Sequence, residues 1–148
     1  MAPDEMTDAS DLLAAAGWYP GRRVDISGEL RALKQAGHPD LRAAAEVLTR
    51  YADLVVVSAS GDRSLWISGR RAAAESDVAW CMAYSAELGL RLVPVGGYSH
   101  MTILVDESGR FWGGLDDEYG RLGDTVEDMI QGVLIATPPV QFDRRLGT

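Results

Sequence analysis

The sequence predicts a single α+β domain with a mainly antiparallel central sheet and flanking helices. Three observations lead to this fold class. First, segments with apolar residues at helical spacing alternate with short β-branched runs. Second, short turns separate several of these runs, a pattern typical of hairpins. Third, no internal repeat or linker divides the 148 residues. We expect a loose tail over residues 1–9, the folded domain over 10–137 and a second flexible tail over 138–148.

Three helices are predicted in the first third of the chain. Leu12 and Leu13 belong to a short helix that Gly17 ends, and Gly37 ends the second helix, because glycine adopts the left-handed conformation of a C-terminal cap. The candidate residues for the three helix starts are, in chain order, Thr7 or Ser10, Asp25 or Ser27, and Pro39.

The middle of the chain predicts a hairpin followed by the longest helix. Residues 54–57 are a β-branched run typical of a buried strand, and residues 64–68 are its partner. A helix over 72–88 follows, with Cys81 and Met82 on its inner face.

Two more strands, a glycine-rich loop and a final helix complete the prediction. The Asp106–Gly109 turn joins the strand over 101–105 to the segment that begins at Arg110. The remaining expectations are a strand over 90–95 ended by Gly96-Gly97, a loop over 113–123, and a helix capped by Asp124 or Thr125.

Composition excludes several classes of protein. One cysteine, Cys81, cannot form an internal disulfide, and with two histidines it cannot complete a standard zinc site. A formal charge of −8 argues against nucleic acid as a partner. It favours a basic protein as the partner, or it serves only to keep the chain soluble. Residues 1–11 lack the pattern of a signal peptide, and no apolar run is long enough to span a membrane. We therefore expect a cytoplasmic protein.

Few side chains suggest catalysis. Ser99 and His100 are neighbours in sequence, so on an extended segment they point to opposite faces rather than pairing as nucleophile and base. Cys81 lies on a predicted core face, where cysteine acts as a small hydrophobe, and His38 is interpreted as a surface or capping residue. No nucleotide-binding pattern is present. We predict no catalytic residue, no metal and no cofactor, and a small hydrolase using Ser99/His100 or Cys81 is the least favoured alternative.

The acidic residues are concentrated near the C-terminal end. Together with Arg121 they give residues 116–128 a net charge of −5. These acids are Asp116, Asp117, Glu118, Asp124, Glu127 and Asp128. The last three suit the first turn of a helix. For Asp116, Asp117 and Glu118 the alternatives are a solvated loop, a hard-cation site, or an acidic contact surface for a basic partner. The last is favoured, with Trp112 and Tyr119 as aromatic anchors.

A second distinctive stretch is Gly17-Trp18-Tyr19-Pro20-Gly21-Arg22-Arg23. Its glycines and proline impose an irregular path, its aromatic pair can anchor that path, and its arginines offer planar forks for carboxylates or carbonyl groups. We interpret it as a structural junction between helices.

This stretch resembles the N-terminal signature of the SUKH superfamily of bacterial immunity proteins, in its third subfamily. The strand that includes Leu92–Gly96, the hairpin over 106–110 and the Gly123-Asp124-Thr125-Val126 helix start resemble later family elements in the same order. The likeness covers about residues 10–135, and residues 58–71 give no clear match.

The resemblance implies a compact α+β fold and a non-enzymatic protein of a polymorphic toxin system. Such a protein would neutralise a cognate toxin, such as a nuclease or deaminase, by binding to the toxin. No contact residue is transferred from the family, since its binding surface diversifies. A related module with a regulatory or scaffold partner is the alternative.

Overall fold

The structure, a computed structural model, describes residues 8–136 and 142–146. The helices in these ranges are α1 Ala9–Ala15, α2 Ser27–Ala36, α3 Arg42–Tyr51, α4 Gly69–Glu75, α5 Val78–Leu88 and α6 Val126–Ile130, followed directly by a π-helical segment, Gln131–Ile135. The strands are β1 Leu54–Val57, β2 Ser64–Ile67, β3 Leu92–Tyr98, β4 Met101–Asp106, β5 Phe111–Leu115, β6 Glu118–Gly123 and β7 Arg144–Arg145. The predicted α+β class is confirmed.

The sheet has its strands in chain order, from β1 at one edge to β7 at the other. Every pair of neighbouring strands is antiparallel. Short turns join β1 to β2, β3 to β4, β4 to β5 and β5 to β6, which is the connection that antiparallel strands allow. The predicted antiparallel central sheet is therefore correct.

The central strands β3 and β4 are largely buried on both faces of the sheet, to which their successive residues point in turn. Val93 and Val105 belong to a large core with α1, α2, α3 and α6. Their neighbours Leu92 and Leu104 belong to a smaller core on the other face, where α5 supplies Cys81. The sheet thus lies between two unequal helical layers.

The long helix predicted over 72–88 is two helices. Ser76 and Asp77 have extended backbones, and the Asp77 carboxylate accepts hydrogen bonds from the first N–H groups of α5, as an N-cap does. The break rotates α5, so Tyr84 is fully buried while Met82 is exposed. The predicted inner face was therefore wrong at Met82 and right at Cys81.

Glycines inside strands explain two further corrections. Gly96 and Gly97 do not end β3 but continue it opposite β2. Residues 113–123, predicted as a loop, complete β5 and form β6. A Cβ at Gly114 would lie 2.6 Å from the Trp80 ring and one at Gly97 2.6 Å from the Trp66 ring, so these two glycines make room for aromatic side chains packed on the sheet.

Helix starts in the first third of the chain differ from the sequence prediction. Asp8, with Asp11, forms the capping box of α1 in place of Ser10, and Thr7 lies outside the described residues. Helix α3 begins at Arg42 rather than Pro39. Within the predicted C-terminal tail, residues 142–146 include β7, which pairs with β6. Residues 138–141 and 147–148 of that tail lie outside the described residues, as do residues 1–7 of the predicted N-terminal tail.

His38, predicted at the surface, is 6% exposed and neither ring nitrogen has a hydrogen-bond partner. Its backbone N–H donates to the Leu33 carbonyl after the Gly37 cap of α2, which turns the side chain inward. Burial lowers the pKa of the His38 imidazole below 6.5, because the apolar surroundings disfavour the charged ring.

This lowered pKa predicts a loss of stability in mild acid. Below pH 6.5 the unfolded chain protonates His38 while the folded chain resists, so the free energy of unfolding falls as pH decreases through that range. The variant His38→Leu is expected to flatten this part of the profile, measured by urea unfolding between pH 7.5 and about 5.5. Equal slopes for wild type and His38→Leu would contradict the assignment.

Candidate functional site

The signature stretch lies against the end of α3. The Trp18 ring stacks on Tyr51 with centroids 5.7 Å apart, and the Arg50 guanidinium lies 5.6 Å from the Trp18 ring centre. Arg22 donates from Nη1 to the Arg50 carbonyl at 2.8 Å and from Nη2 to the Ala52 carbonyl at 2.7 Å. Its planar fork thus satisfies carbonyl groups that a helix end leaves without partners.

The rest of that stretch forms the turn that delivers these contacts. Gly17 and Gly21 have positive φ, which glycine adopts without strain. Pro20 and Gly21 are exposed, as is Tyr19, which no residue of the core covers. The contacts of Trp18 and Arg22 agree with the junction role expected from the sequence, while Tyr19 is free to contact another molecule.

The acidic residues occupy the tip of the β5–β6 hairpin. Asp116 and Asp117 form the turn, Asp116 has a left-handed backbone, and Glu118 begins β6; all three side chains are exposed. Arg145 of β7 approaches them, with Nη2 3.3 Å from Glu118 Oε1 and Nη1 3.9 Å from Asp117 Oδ2. We call Asp116, Asp117 and Glu118 the acidic tip.

An aromatic cluster supports the acidic tip from within. Trp112 and Tyr119 are only 4% and 3% exposed, so these two predicted anchors lie inside the domain. Tyr119 packs edge-on against Tyr84 at 4.3 Å, and the Tyr84 hydroxyl donates to the Gly113 carbonyl at 2.6 Å. The Trp80 indole N–H donates to the Asp116 carbonyl. The Trp80 hydrogen bond therefore ties the turn to α5 while the carboxylates of the turn face solvent.

The acids beyond the tip lie at the start of α6. Asp124 pairs with Arg121, and Asp128 lies in the first turn of α6, where Thr125 accepts a hydrogen bond from its backbone N–H. Thr125 is thus the N-cap, one of the two predicted candidates. The tip differs from this group because its three exposed acids are consecutive residues at the end of a hairpin.

Side chains considered for catalysis are not assembled for it. Ser99 and His100 form the exposed β3–β4 turn, and no hydrogen bond joins them. Cys81 is buried, and burial raises the pKa of its thiol to about 12, which keeps it protonated and unreactive near neutral pH. Among residues 8–136 and 142–146, no three His, Cys, Asp or Glu side chains are grouped to hold a metal.

Two surface features escaped the sequence prediction. A groove of about 680 Å³ lies between α3 and the start of α6, lined by both bases and acids, among them Arg23, Arg42 and Glu127. The outer edge of β1, with exposed Val55 and Val57, is the second. We expected a fully buried strand here, but β1 is buried on one face only. A run of apolar residues does not reveal which of them are exposed.

Comparison with known proteins gives one match. The family model described as SUKH-3 immunity protein matches residues 6–135, most of the chain. Searches of curated proteins and of solved structures found no match. No helix in the described part of the chain is long and apolar enough to cross a membrane. From the extent of the family match, the chain belongs to the SUKH-3 immunity protein family.

Proposed function

We propose that this chain is the immunity protein of a bacterial polymorphic toxin system, acting in the cytoplasm, and that it neutralises its cognate toxin by direct binding without catalysis or a cofactor. Membership of the SUKH-3 immunity family carries the proposal. A toxin that acts on nucleic acid is the partner class we favour, because such enzymes need basic clefts that an acidic surface can occupy.

The acidic tip is the proposed contact. Its three exposed carboxylates stand on a hairpin turn that a hydrogen bond from Trp80 ties to α5, which lowers the entropy cost of ordering this turn on binding. Arg145 offsets part of their charge, while the whole chain remains at −8. The buried Trp112 and Tyr119 act in this proposal as supports of the tip rather than as groups that enter the partner.

Co-expression with the product of the neighbouring toxin gene tests the function. Survival of the cells and co-purification of the two proteins would support an immunity protein. No rescue of the cells and no complex would contradict direct neutralisation and favour a module for a non-toxin partner.

Charge reversal tests the contact. The triple variant Asp116→Lys, Asp117→Lys, Glu118→Lys is expected to slow association with the toxin about tenfold at low salt, and less at high salt, because long-range attraction is lost. Stopped-flow or surface-immobilised binding kinetics would measure the rate.

A matched control separates local contact from net charge. Reversing the exposed Asp40, Glu46 and Glu107, which lie on or beside α3 and in the β4–β5 turn, changes the formal charge by the same amount. The ion pairs it breaks are exposed, so they contribute little to stability. The control should retain most of the wild-type rate. Equal rates for the two triple variants would reject the acidic tip as the contact.

A further inference from the structure

The edge of the sheet at β1 is open. β1 is the first strand in the order, and none of the described strands lies on its outer side. Its four residues span about 13 Å at the usual rise of a strand. Exposed edges of this kind are templates for pairing with another strand.

The backbone of β1 presents two residues to that open edge. Ser58 N–H donates to the Arg63 carbonyl at 2.8 Å, so residue 58 faces β2. Since hydrogen-bonded and outward residues alternate in an antiparallel ladder, Val56 also faces β2, whereas Val55 and Val57 face away. Their N–H and C=O groups therefore form a ready site for one added strand.

The side chains at this edge favour pairing. Val55 and Val57 are 52% and 45% exposed on one face of β1, and Trp66 of β2 lies opposite Val55. The Arg71 guanidinium lies 4.2 Å from the centre of the Trp66 ring and extends this face. β1 contains no proline, charge or bulge within its four residues, the usual devices that protect an edge.

Charge near the edge selects the kind of strand. The exposed Asp53 precedes β1, and the exposed Asp62 lies in the turn that follows it. Arg22 is directed to carbonyl groups at the end of α3, and Arg63 to carbonyl groups of the π-helical segment. Arg71, which lies over the Trp66 ring, is paired with Glu75. A second copy would bring the same acids and another charge of −8 to the edge. A strand that carries basic residues complements the charge at this edge.

We infer that β1 receives an extended strand of the toxin, with apolar side chains at alternate positions and basic residues at its ends, which joins the sheet beside Val55 and Val57. The inference rests on the proposed function and adds a binding mode to it. Main-chain hydrogen bonds supply affinity, and the valine–tryptophan face supplies selectivity, as in other cases of strand addition. The acidic tip lies near the opposite edge, so the two contacts are separable.

A proline substitution tests strand addition directly. Val57→Pro removes an outward N–H that the fold does not use, and proline is tolerated on edge strands. With the co-purified toxin, this variant is expected to lose at least tenfold in affinity by titration calorimetry. Ala59→Pro is the matched control, since residue 59 lies in the exposed turn beyond β1, and it should bind as wild type does. Amide hydrogen exchange should slow at residues 55 and 57 in the complex.

Each remaining outcome decides between explanations. Wild-type affinity for Val57→Pro, with unchanged exchange at residues 55 and 57 in the complex, would overturn the inference while leaving the proposed function intact. A free chain that is dimeric and becomes monomeric in Val57→Pro would assign the edge to a second copy. No toxin complex at all would reject the proposed function itself. If Val57→Pro unfolds, Val55→Lys with Val57→Lys replaces it, and unchanged toxin affinity then overturns the inference.

Discussion

Replacing Asp106 with alanine is expected to lower the free energy of unfolding by about 3 kcal/mol, since several charge-assisted hydrogen bonds are lost and a buried donor is left without a partner. Asp106 is 0% exposed. Its Oδ1 accepts from the backbone N–H of Ser108 at 2.8 Å and of Arg110 at 3.1 Å, and its Oδ2 accepts from Trp112 Nε1 at 3.0 Å. One carboxylate therefore joins the β4–β5 turn to the smaller core.

Chemical denaturation of a small set of variants measures this effect. Asp106→Asn should lose less than Asp106→Ala, because an amide oxygen keeps part of the acceptor capacity. Ser108→Ala alters an exposed side chain in the same turn and should stay within about 0.5 kcal/mol of wild type. A double-mutant cycle with Trp112→Phe isolates the indole contact. A loss below about 1 kcal/mol for Asp106→Ala would contradict the structural role.

Replacing Gly96 with alanine is expected to cost about 3 kcal/mol, at the upper end of overpacking effects. A Cβ at Gly96 would lie 2.4 Å from the backbone carbonyl oxygen of Trp66, which is held in β2 and cannot rotate away. Residues 94 and 96 also flank a register shift between β3 and β4. The substitution would push β2 from β3 where the sheet is packed on both sides.

Gly28→Ala is the informative comparison. Its Cβ would overlap the end of the Arg70 side chain, which is largely exposed and pairs with the buried Glu29 carboxylate. We expect Gly28→Ala to cost less than Gly96→Ala, because the end of a side chain can shift where a strand carbonyl cannot. Thermal unfolding of both variants would show whether the nature of the obstructing atom, rather than distance alone, sets the cost. Equal losses would contradict this explanation.

Local chemistry was sufficient for several elements. Gly37 and Gly89 end helices in the left-handed conformation, as their sequence context indicates. The Asp106–Gly109 turn and the apolar face of the last helix also follow their sequence signals. In each case a short-range rule, a cap, a turn or a helical period, acts within a few residues, so a single sequence displays it.

Other features depend on contacts between distant segments. The glycines of residues 113–123 favour a loop locally, but the rings of Trp80 and Tyr84 pack over Gly114 and make it a strand position. Likewise Trp112 and Tyr119 are apolar enough for either an interface or a core, and only α5 on that face decides between them. Residue type alone carries no information about which element covers it.

By itself, the sequence determined the fold class, the family signature, the Gly37 and Gly89 caps and the concentration of acids around the start of the last helix, because composition and short-range pattern encode them. The tertiary structure alone decided which acids lie at the exposed hairpin tip, where Arg22 donates and which strand lies at an open edge. Those properties depend on the order of the strands in the sheet and on which distant segments of the chain cover each residue. A residue stays at the surface only where no such segment packs over it.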